Sequence, residues 1–542
     1  MADRYQEYVW ERGVGSREWG AGRGEQGVDI VLATINAKWI HPSLALRLLK
    51  ANLGSLEADC EILEFALRQP LKEKVEPILA ARPRVLGLSV SIWNHLATLE
   101  LLKALDTAWK DASGTNPETR QKPLVVLGGP EITWLPVVGA VPGQETPEIF
   151  QYADYVIRGE GEESFRSLCY GIFYGDPGVG SSSGAAVDLT AITPAYRLYT
   201  EEDLKKKLVY VEASRGCPYG CEFCQGPLGP GAARQVREFP LEPFLAEMDT
   251  LIERGGRQFK FLDRTFNLNI ERAISIMEFF LDRLDTRLCV HFEMVPFRFP
   301  PELKDVIRRF PAGSLRLELG IQTFNPAAAE LINLAAASPA AGRQAREVIE
   351  TLEFLARDTN AIIHADLIAG LPGEDLASFG AGFDRLWQVL STSSSPAEPG
   401  LYQKSSGRLQ HSAFEIQLGI LKCLPGTPIV RRSEAYGMKY SPAPPYEVTG
   451  TAALPSAELE RIKNFARFWE LTVNRNPFPD MLPRLVPPGE PVFERFMILS
   501  DKLRESFGRN WGIDRADLRL ALKEWGIGSG EWGVGSLFTD YA

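Results

Sequence analysis

The chain has 542 residues, 45% apolar and 24% charged, which suits about three or four domains with real cores and excludes intrinsic disorder, a collagen-like repeat and a disulfide-dense scaffold. Lys and Arg number 59 against 70 Asp and Glu, a net charge of −11, and such a surface repels phosphate backbones on average, so no nucleic-acid partner is expected. No run of 18 apolar residues occurs, so no membrane partner is expected either.

The start, MADRYQEYVWERGVGSREWG, is charged and Gly-rich and lacks the apolar core of a secretory signal. Seven cysteines, at 60, 169, 217, 221, 224, 289 and 423, are an odd number in a long chain. Thiols or metal thiolates are expected rather than disulfides, and the location expected is cytoplasmic. Residues 1–27 and 527–542 carry similar Gly/Trp text with no amphipathic period and are expected to be disordered tails.

From Val28 the pattern changes. The runs DIVLATI, EILEF, VLGLSVS, VVLGG and YVIRG read as strands, and SLALRLLKANL, HLATLELLKALDTAWK and ESFRSLCYGIFYG as helices between and after them. This alternation over 28–175 predicts a doubly wound, Rossmann-like parallel sheet, whose ligands belong at the carboxyl ends of the strands. Candidate binding residues fall there: Asn36 and His41 after the first strand, then Ser89, Ser91, Trp93 and Asn94 after the third. Gly128, Gly129, Pro130 and Glu131 follow the fourth, and Gly159, Glu160 and Gly161 the fifth.

Residues 176–204 open with the Gly/Ser stretch DPGVGSSSGAAVD and read as a linker. A second series over 205–430 offers VYVEA, FKFLD, CVHFEMV, LRLELGI, IIHADLIAG and FEIQLGIL as strands with amphipathic helices between them. Six such repeats predict a partial (β/α)6 barrel with its chemistry on the C-terminal strand ends. Ser391 to Ser412 reads as a Ser/Pro-rich surface insertion. Residues 431–526, with ELERIKNFARFWELTVNR and PVFERFMILSDKLRESFG, read as a mainly helical C-terminal region without a catalytic motif. The fold class expected is α/β.

The decisive local feature is RGCPYGCEFCQGP, directly after the first barrel strand. Cys217, Cys221 and Cys224 have the spacing Cys-x3-Cys-x2-Cys, and thiolates are soft ligands that suit an iron–sulfur cluster or zinc. Gly216, Pro218 and Gly220 let the backbone wrap closely around a large inorganic body. Zinc wants a fourth ligand, and no further Cys or His lies nearby in sequence. A thioredoxin-like site would use only two cysteines, and three buried as small apolar residues would not sit in a Gly/Pro loop.

This triplet, with Phe223 before its last cysteine, resembles the radical S-adenosylmethionine (SAM) superfamily. FLDRTFN at 261–267, LELGIQT at 317–323 and ADLIAGLPGE at 365–374 resemble its segments at the strand ends. The resemblance implies a [4Fe-4S] cluster on the three cysteines, with one iron left open for SAM. It implies SAM contacts from Phe223, Arg264, Thr265, Gln322, Asp366, Ile368 and Gly370, and catalytic roles for Asp263 and Glu318. Asp263-Arg264-Thr265 departs from the common Gly-Gly-Glu.

The front sheet, with GGPE and RGEGE, resembles the cobalamin-binding domain that precedes many such barrels. None of His41, His95, His291, His364 and His411 has an Asp two positions before it, so the Asp-x-His-x-x-Gly cobalt-ligand motif is absent. At family level the order NAKWIHPSLALRLL, SIWN, GGPE, RGEGE, CPYGCEFC, FEMVP, GIQT, IQLGIL and PPYEV resembles the branch whose C-terminal region is the domain of unknown function DUF4080.

What the resemblance implies is methylation of an unactivated carbon, or of phosphorus, on a small-molecule or peptide substrate, with a low-potential flavodoxin- or ferredoxin-type electron donor. The same cofactors would serve a cyclisation or rearrangement, and a cobalamin carrier or sensor with a structural cluster is the reading outside enzymes. Methylthio transfer to tRNA would want three cysteines in the front domain, where only Cys60 and Cys169 occur.

Overall fold

The computed structural model describes residues 28–115, 122–135, 146–175, 186–226, 234–334, 341–393 and 414–524. The two expected tails, the Gly/Ser stretch at 176–185 and the insertion from 394 to 412 lie outside the described residues. The chain forms two compact units, Met1–Pro218 with Gln225–Lys260, and Tyr219–Cys224 with Phe261–Ala542.

The first unit begins with β1 (Ile30–Asn36), α1 (Leu44–Ala51), β2 (Cys60–Ala66), α2 (Leu71–Ala81), β3 (Val85–Ser89) and α3 (His95–Thr115). Then come β4 (Leu124–Gly128), α4 (Pro130–Trp134), β5 (Tyr155–Val156) and α5 (Glu162–Tyr174). The five strands form a parallel sheet in the order β2-β1-β3-β4-β5. The central strands are buried on both faces, which is why IVLA, VLGL and LVVL read as unbroken apolar runs. One core holds Val31, Leu86, Val125 and Leu101, and the other Ile30, Leu32, Phe165, Cys60 and Cys169.

Helix α2 is not expected from the sequence pattern. Pro77 interrupts it and removes a backbone donor, yet buried Ile78 and half-buried Leu71, Val75 and Leu79 pack into the core. Burial outweighs propensity there. Beyond α5, Leu189, Ala195, Tyr196 and Tyr199 are buried, so the described part of the expected linker is packed chain.

The first unit continues with α6 (Glu201–Lys206), β6 (Val209–Val211), β7 (Ser214–Arg215), β8 (Arg237–Glu238), α7 (Leu241–Glu253) and β9 (Gln258–Phe261). The second unit carries α8 (Ile270–Leu281), β10 (Cys289–Met294), α9 (Pro301–Arg308), β11 (Leu315–Gln322) and α10 (Pro326–Leu331). After them come α11 (Ala341–Asp358), β12 (Ile362–Ala369), α12 (Leu376–Ser393) and β13 (Phe414–Ile420). In the second unit β10 to β13 are neighbours in a second large sheet, β13-β12-β11-β10, in the sequence order expected. Its pairs β10–β11, β11–β12 and β12–β13 are parallel. In β10 and β11 fully buried residues alternate with half-buried ones, so one face is apolar and the other is not.

The C-terminal region holds α13 (Pro428–Arg431), β14 (Lys439–Tyr440), β15 (Val448–Gly450), α14 (Ser456–Trp469), α15 (Leu482–Leu485), α16 (Phe493–Phe507) and α17 (Arg515–Glu524). It is mainly helical, with the short antiparallel pair β14–β15 added. An aromatic cluster joins it to α12: Phe383 lies 4.8 Å from Trp469 and 5.1 Å from Phe465, edge-on to both. Burying each such ring is worth about 1.5–3 kcal/mol.

Candidate functional site

At the tips of β1, β3 and β4 the register sets Thr34 beside Ser89 and Ser89 beside Gly128. Gly129 has φ 101°, and a Cβ there would lie 2.6 Å from the Val90 carbonyl oxygen and 3.0 Å from Ser89 Oγ, so only glycine allows this turn. Asn94, 1% exposed, spends its side chain on the chain itself. Its Nδ2 donates to the Ile35 and Ser89 carbonyls at 3.0 and 3.3 Å, and its Oδ1 accepts from the Ser91 N–H at 2.8 Å. Glu131 opens α4 after Pro130, fully buried, with Oε1 3.1 Å from His95 Nδ1. Ser89, Ser91, Asn94, Gly128, Gly129 and Glu131 therefore form one connected set. Trp93 and Trp39 stand 55% and 50% exposed.

The other front candidates have partners elsewhere in the first unit. Asn36 donates to Glu64 Oε1 at 3.2 Å, and His41 Nδ1 lies 2.8 Å from the Tyr210 hydroxyl of β6. Gly159, at φ 73°, donates to Thr133 Oγ1, and Gly161 caps α5. Glu160 accepts from Arg237 and from the Val187 N–H.

Arg215, two residues before Cys217, meets three carboxylates: Glu162 at 2.6 Å, Glu212 at 3.0 Å and Glu160 at 3.7 Å. Burial alone would lower its pKa, but Glu212 and Glu162 raise it above the ordinary arginine value. The antiparallel pair β7–β8, with Arg215 opposite Arg237, closes the base of the cysteine loop. At that closure Gly216 has φ 104°, and a Cβ would come within 2.1 Å of the Gln235 carbonyl oxygen. The glycine expected to let the loop turn has no substitute here.

The boundary between the units falls inside the cysteine loop. All seven cysteines are thiols, and Cys217, Cys221 and Cys224 are half-buried. Among the described residues no three His, Cys, Asp or Glu side chains converge on one metal ion. A cubane does not ask for that, since each thiolate binds a different iron. The three-thiolate donor set and the glycine turn fit such a cluster. In the second unit the Cys224 N–H donates to the Cys221 carbonyl at 3.2 Å, forming a turn around Glu222 and half-buried Phe223. Tyr219 stands edge-on to Phe297 at 5.9 Å.

Asp263 and Thr265 are buried after β9, and Arg264 is exposed with its guanidinium 4.0 Å from Glu293. Phe266 stacks on Phe292 at 3.9 Å and is core. Gln322 ends β11 at a bulge with φ 67°, and its Nε2 lies 2.3 Å from where a Cβ on Gly320 would sit. Bulges at strand ends re-aim side chains in this way. Gly370, at φ 88°, follows half-buried Ile368 at the tip of β12.

Glu318 and Asp366, expected at strand ends, lie inside β11 and β12, before the tips at Gln322 and Gly370, with Glu318 opposite His364 in register. Glu318 Oε2 is 3.0 Å from His291 Nε2, and His364 Nε2 is 2.9 Å from Glu415 Oε2. Arg316 reaches His364 and Glu415, and Gln417 Nε2 lies 3.2 Å from His364 Nδ1. Sequence alone offers Glu318 and Asp366 singly. The signal for their neighbours is the run of polar residues two apart on the strands from β10 to β13.

Thr323 and Glu374 also escape sequence reasoning. Thr323 Oγ1 donates to Glu374 Oε1 at 2.5 Å and accepts from the Asn325 N–H at 2.8 Å. Burial pushes the Glu374 carboxyl up to about 7 against the pull of Thr323.

Residues 211–385, which hold all three loop cysteines and the strand ends from β9 to β12, match the family model of the radical SAM superfamily. The chain carries a radical SAM domain. An uncharacterized methyltransferase of Pyrococcus horikoshii is 34% identical over 173 residues, 28% of this chain and 36% of that protein. The bacteriochlorophyllide d C-12(1)-methyltransferase of Chlorobaculum tepidum is 27% identical over 213 residues, 38% of this chain and 43% of that one. The chain thus spans less than half the length of these curated relatives. The radical SAM methyltransferase TsrM of Kitasatospora setae, solved with cobalamin and a [4Fe-4S] cluster, aligns with TM-score 0.54 at 16% identity over 79% of this chain and 82% of that one. At that identity the likeness is one of fold. Among the described residues no helix is long and apolar enough to cross a membrane.

Proposed function

We propose that the chain is a cobalamin-dependent radical SAM methyltransferase of the DUF4080-containing branch. In this reading Cys217, Cys221 and Cys224 hold a [4Fe-4S] cluster, the strand ends around Asp263, Gln322 and Gly370 take SAM, and the tips of the front sheet take cobalamin. The observation that carries it is the Cys-x3-Cys-x2-Cys loop, within the stretch that matches the superfamily, on a glycine turn that admits no Cβ. The methyltransferase relatives, and the cofactors held by the TsrM structure, support the reaction type.

When bound, these groups supply a SAM-derived radical and a methyl carrier. The chain's own part is to position and to exclude water. Gly129 makes the tight turn after β4, and Trp39 and Trp93, half-exposed after β1 and β3, give a flat ligand apolar surface. The Glu318 carboxylate and the His291 imidazole, 3.0 Å apart, bring a proton acceptor and a proton donor together. The substrate class is a small molecule or a peptide, the electron donor is of flavodoxin or ferredoxin type, and the setting is the cytoplasm, which suits seven thiols without a disulfide.

The test is anaerobic incubation of the reconstituted chain with reductant, cobalamin and SAM labelled in its methyl group. Formation of 5′-deoxyadenosine or S-adenosylhomocysteine, with label passing to a component of an added extract, is the expected result. Zinc in the chain and neither product would overturn the reading.

A further inference from the structure

The stretch between Gly220 and Glu222 is gripped from two directions within the second unit. On one side the Glu222 N–H donates to the Ile332 carbonyl at 2.9 Å, and Asn333 Nδ2 donates to the Gly220 carbonyl at 2.9 Å. Both partners stand at the end of α10, whose start is capped by Asn325, itself bonded to Thr323 at the tip of β11. Gly373, after β12, packs against the same helix, where an added Cβ would lie 2.9 Å from Leu331.

On the other side the Ile429 N–H donates to the Glu222 carbonyl at 3.0 Å, and Arg432 Nη1 lies 3.5 Å from Glu222 Oε2. Ile429 is fully buried, and the chain leading to it is tied down in turn. The Cys423 and Val448 N–H groups donate to the Tyr446 and Leu421 carbonyls, and Thr427 donates to Leu424. Glu222 itself is 8% exposed. Among the described residues the Cys221–Cys224 turn is thus fixed by one element between β11 and β12 and another just after β13.

We infer that Asn333 and Arg432 are positioning residues for the cluster, holding the Cys221–Cys224 turn at the separation and orientation its thiolates need. This rests on the reading that these thiolates bind a [4Fe-4S] cluster. It gives the segment after the second sheet, which carries no catalytic motif, a task in the chemistry. A thiolate that can drift changes the hydrogen bonding and solvent exposure of its iron, and those set the reduction potential.

The experiment uses the full chain, reconstituted anaerobically, with Asn333→Gly, Arg432→Met and Arg432→Lys. Asn333 sits at φ 48° on the surface, so glycine keeps the backbone and removes only the donor, and Arg432 is exposed. Cluster loss to an iron chelator is expected to run about fivefold faster in Asn333→Gly and Arg432→Met, the equivalent of about 1 kcal/mol. The midpoint potential and the electron paramagnetic resonance spectrum of the reduced cluster shift with it. The melting temperature of the metal-free chain stays at the parent value, and Arg432→Lys restores most of the parent behaviour. A parent with a full cluster and variants of identical lifetime, potential and spectrum would overturn this inference alone. So would cluster loss matched by a fall in the melting temperature of the metal-free variants. A parent without iron or sulfide would overturn the cluster reading and this inference with it.

Discussion

The two parallel sheets differ in what their polar residues are used for. In the front sheet the central strands are apolar on both faces, and the polar side chains at their tips close on neighbouring backbone: Asn94 on Ile35, Ser89 and Ser91, and Thr34 on Ser89. In β10 to β13 polar side chains line a whole face, with His291 on Glu318 and His364 on Glu415. A sheet covered on both faces can meet a ligand only at its edge, whereas one with a polar face can carry chemistry along its strands. The first offers a ligand only its strand tips, and the second offers a polar face.

The largest effects come from removing a polar group in each unit, Arg215 before the cysteine loop and Glu374 after β12, and comparing the sign of the change. Arg215→Met leaves the Glu160, Glu162 and Glu212 carboxylates without their shared cation. A cost of about 3–5 kcal/mol is expected in denaturant unfolding. Glu374→Gln should do the reverse. Its carboxyl, pushed up to about 7, lies above the ordinary value of 4.5, so the folded chain binds the extra proton and stability is lost as pH rises from about 4.5 to 7. Over that window the parent should lose up to about 3 kcal/mol, and the variant should show a flat profile there and exceed the parent at pH 8. A parent profile that is already flat would remove this cost from the second unit.

A smaller pair of effects sharpens the comparison inside the front sheet. Asn94→Ala strips three hydrogen bonds from buried backbone groups and should cost about 1–3 kcal/mol. Trp93→Ala, at an exposed position, should stay within about 0.5 kcal/mol in stability while weakening retention of added cobalamin. Equal effects on stability would mean that the tips are not divided into a structural knot and an open apolar rim.

How much of this is legible in the sequence follows from distance along the chain. Strand periodicity and the cysteine spacing are local, and both sheets and the cysteine loop can be read from them. The seven cysteines also sort locally: Cys60 lies in an apolar core, where burial pushes its thiol up to about 12, while 217, 221 and 224 share a Gly/Pro loop. The pairs that fix the site are not local. Glu222 and Arg432 are 210 positions apart, His41 and Tyr210 169, and Thr323 and Glu374 51. Nothing within a strand or helix marks such partners, because the fold alone brings them together. Helix α2 is hidden for the opposite reason, a local breaker at Pro77 overruled by tertiary burial.

The most direct test of the central claim is the metal content of anaerobically purified chain, compared with the Cys217→Ala, Cys221→Ala and Cys224→Ala variants. About four irons and four sulfides per parent chain, with a reduced-cluster resonance that changes when SAM is added and iron largely lost in each variant, is the predicted result. Stoichiometric zinc in the parent, or iron that survives all three substitutions, would contradict it.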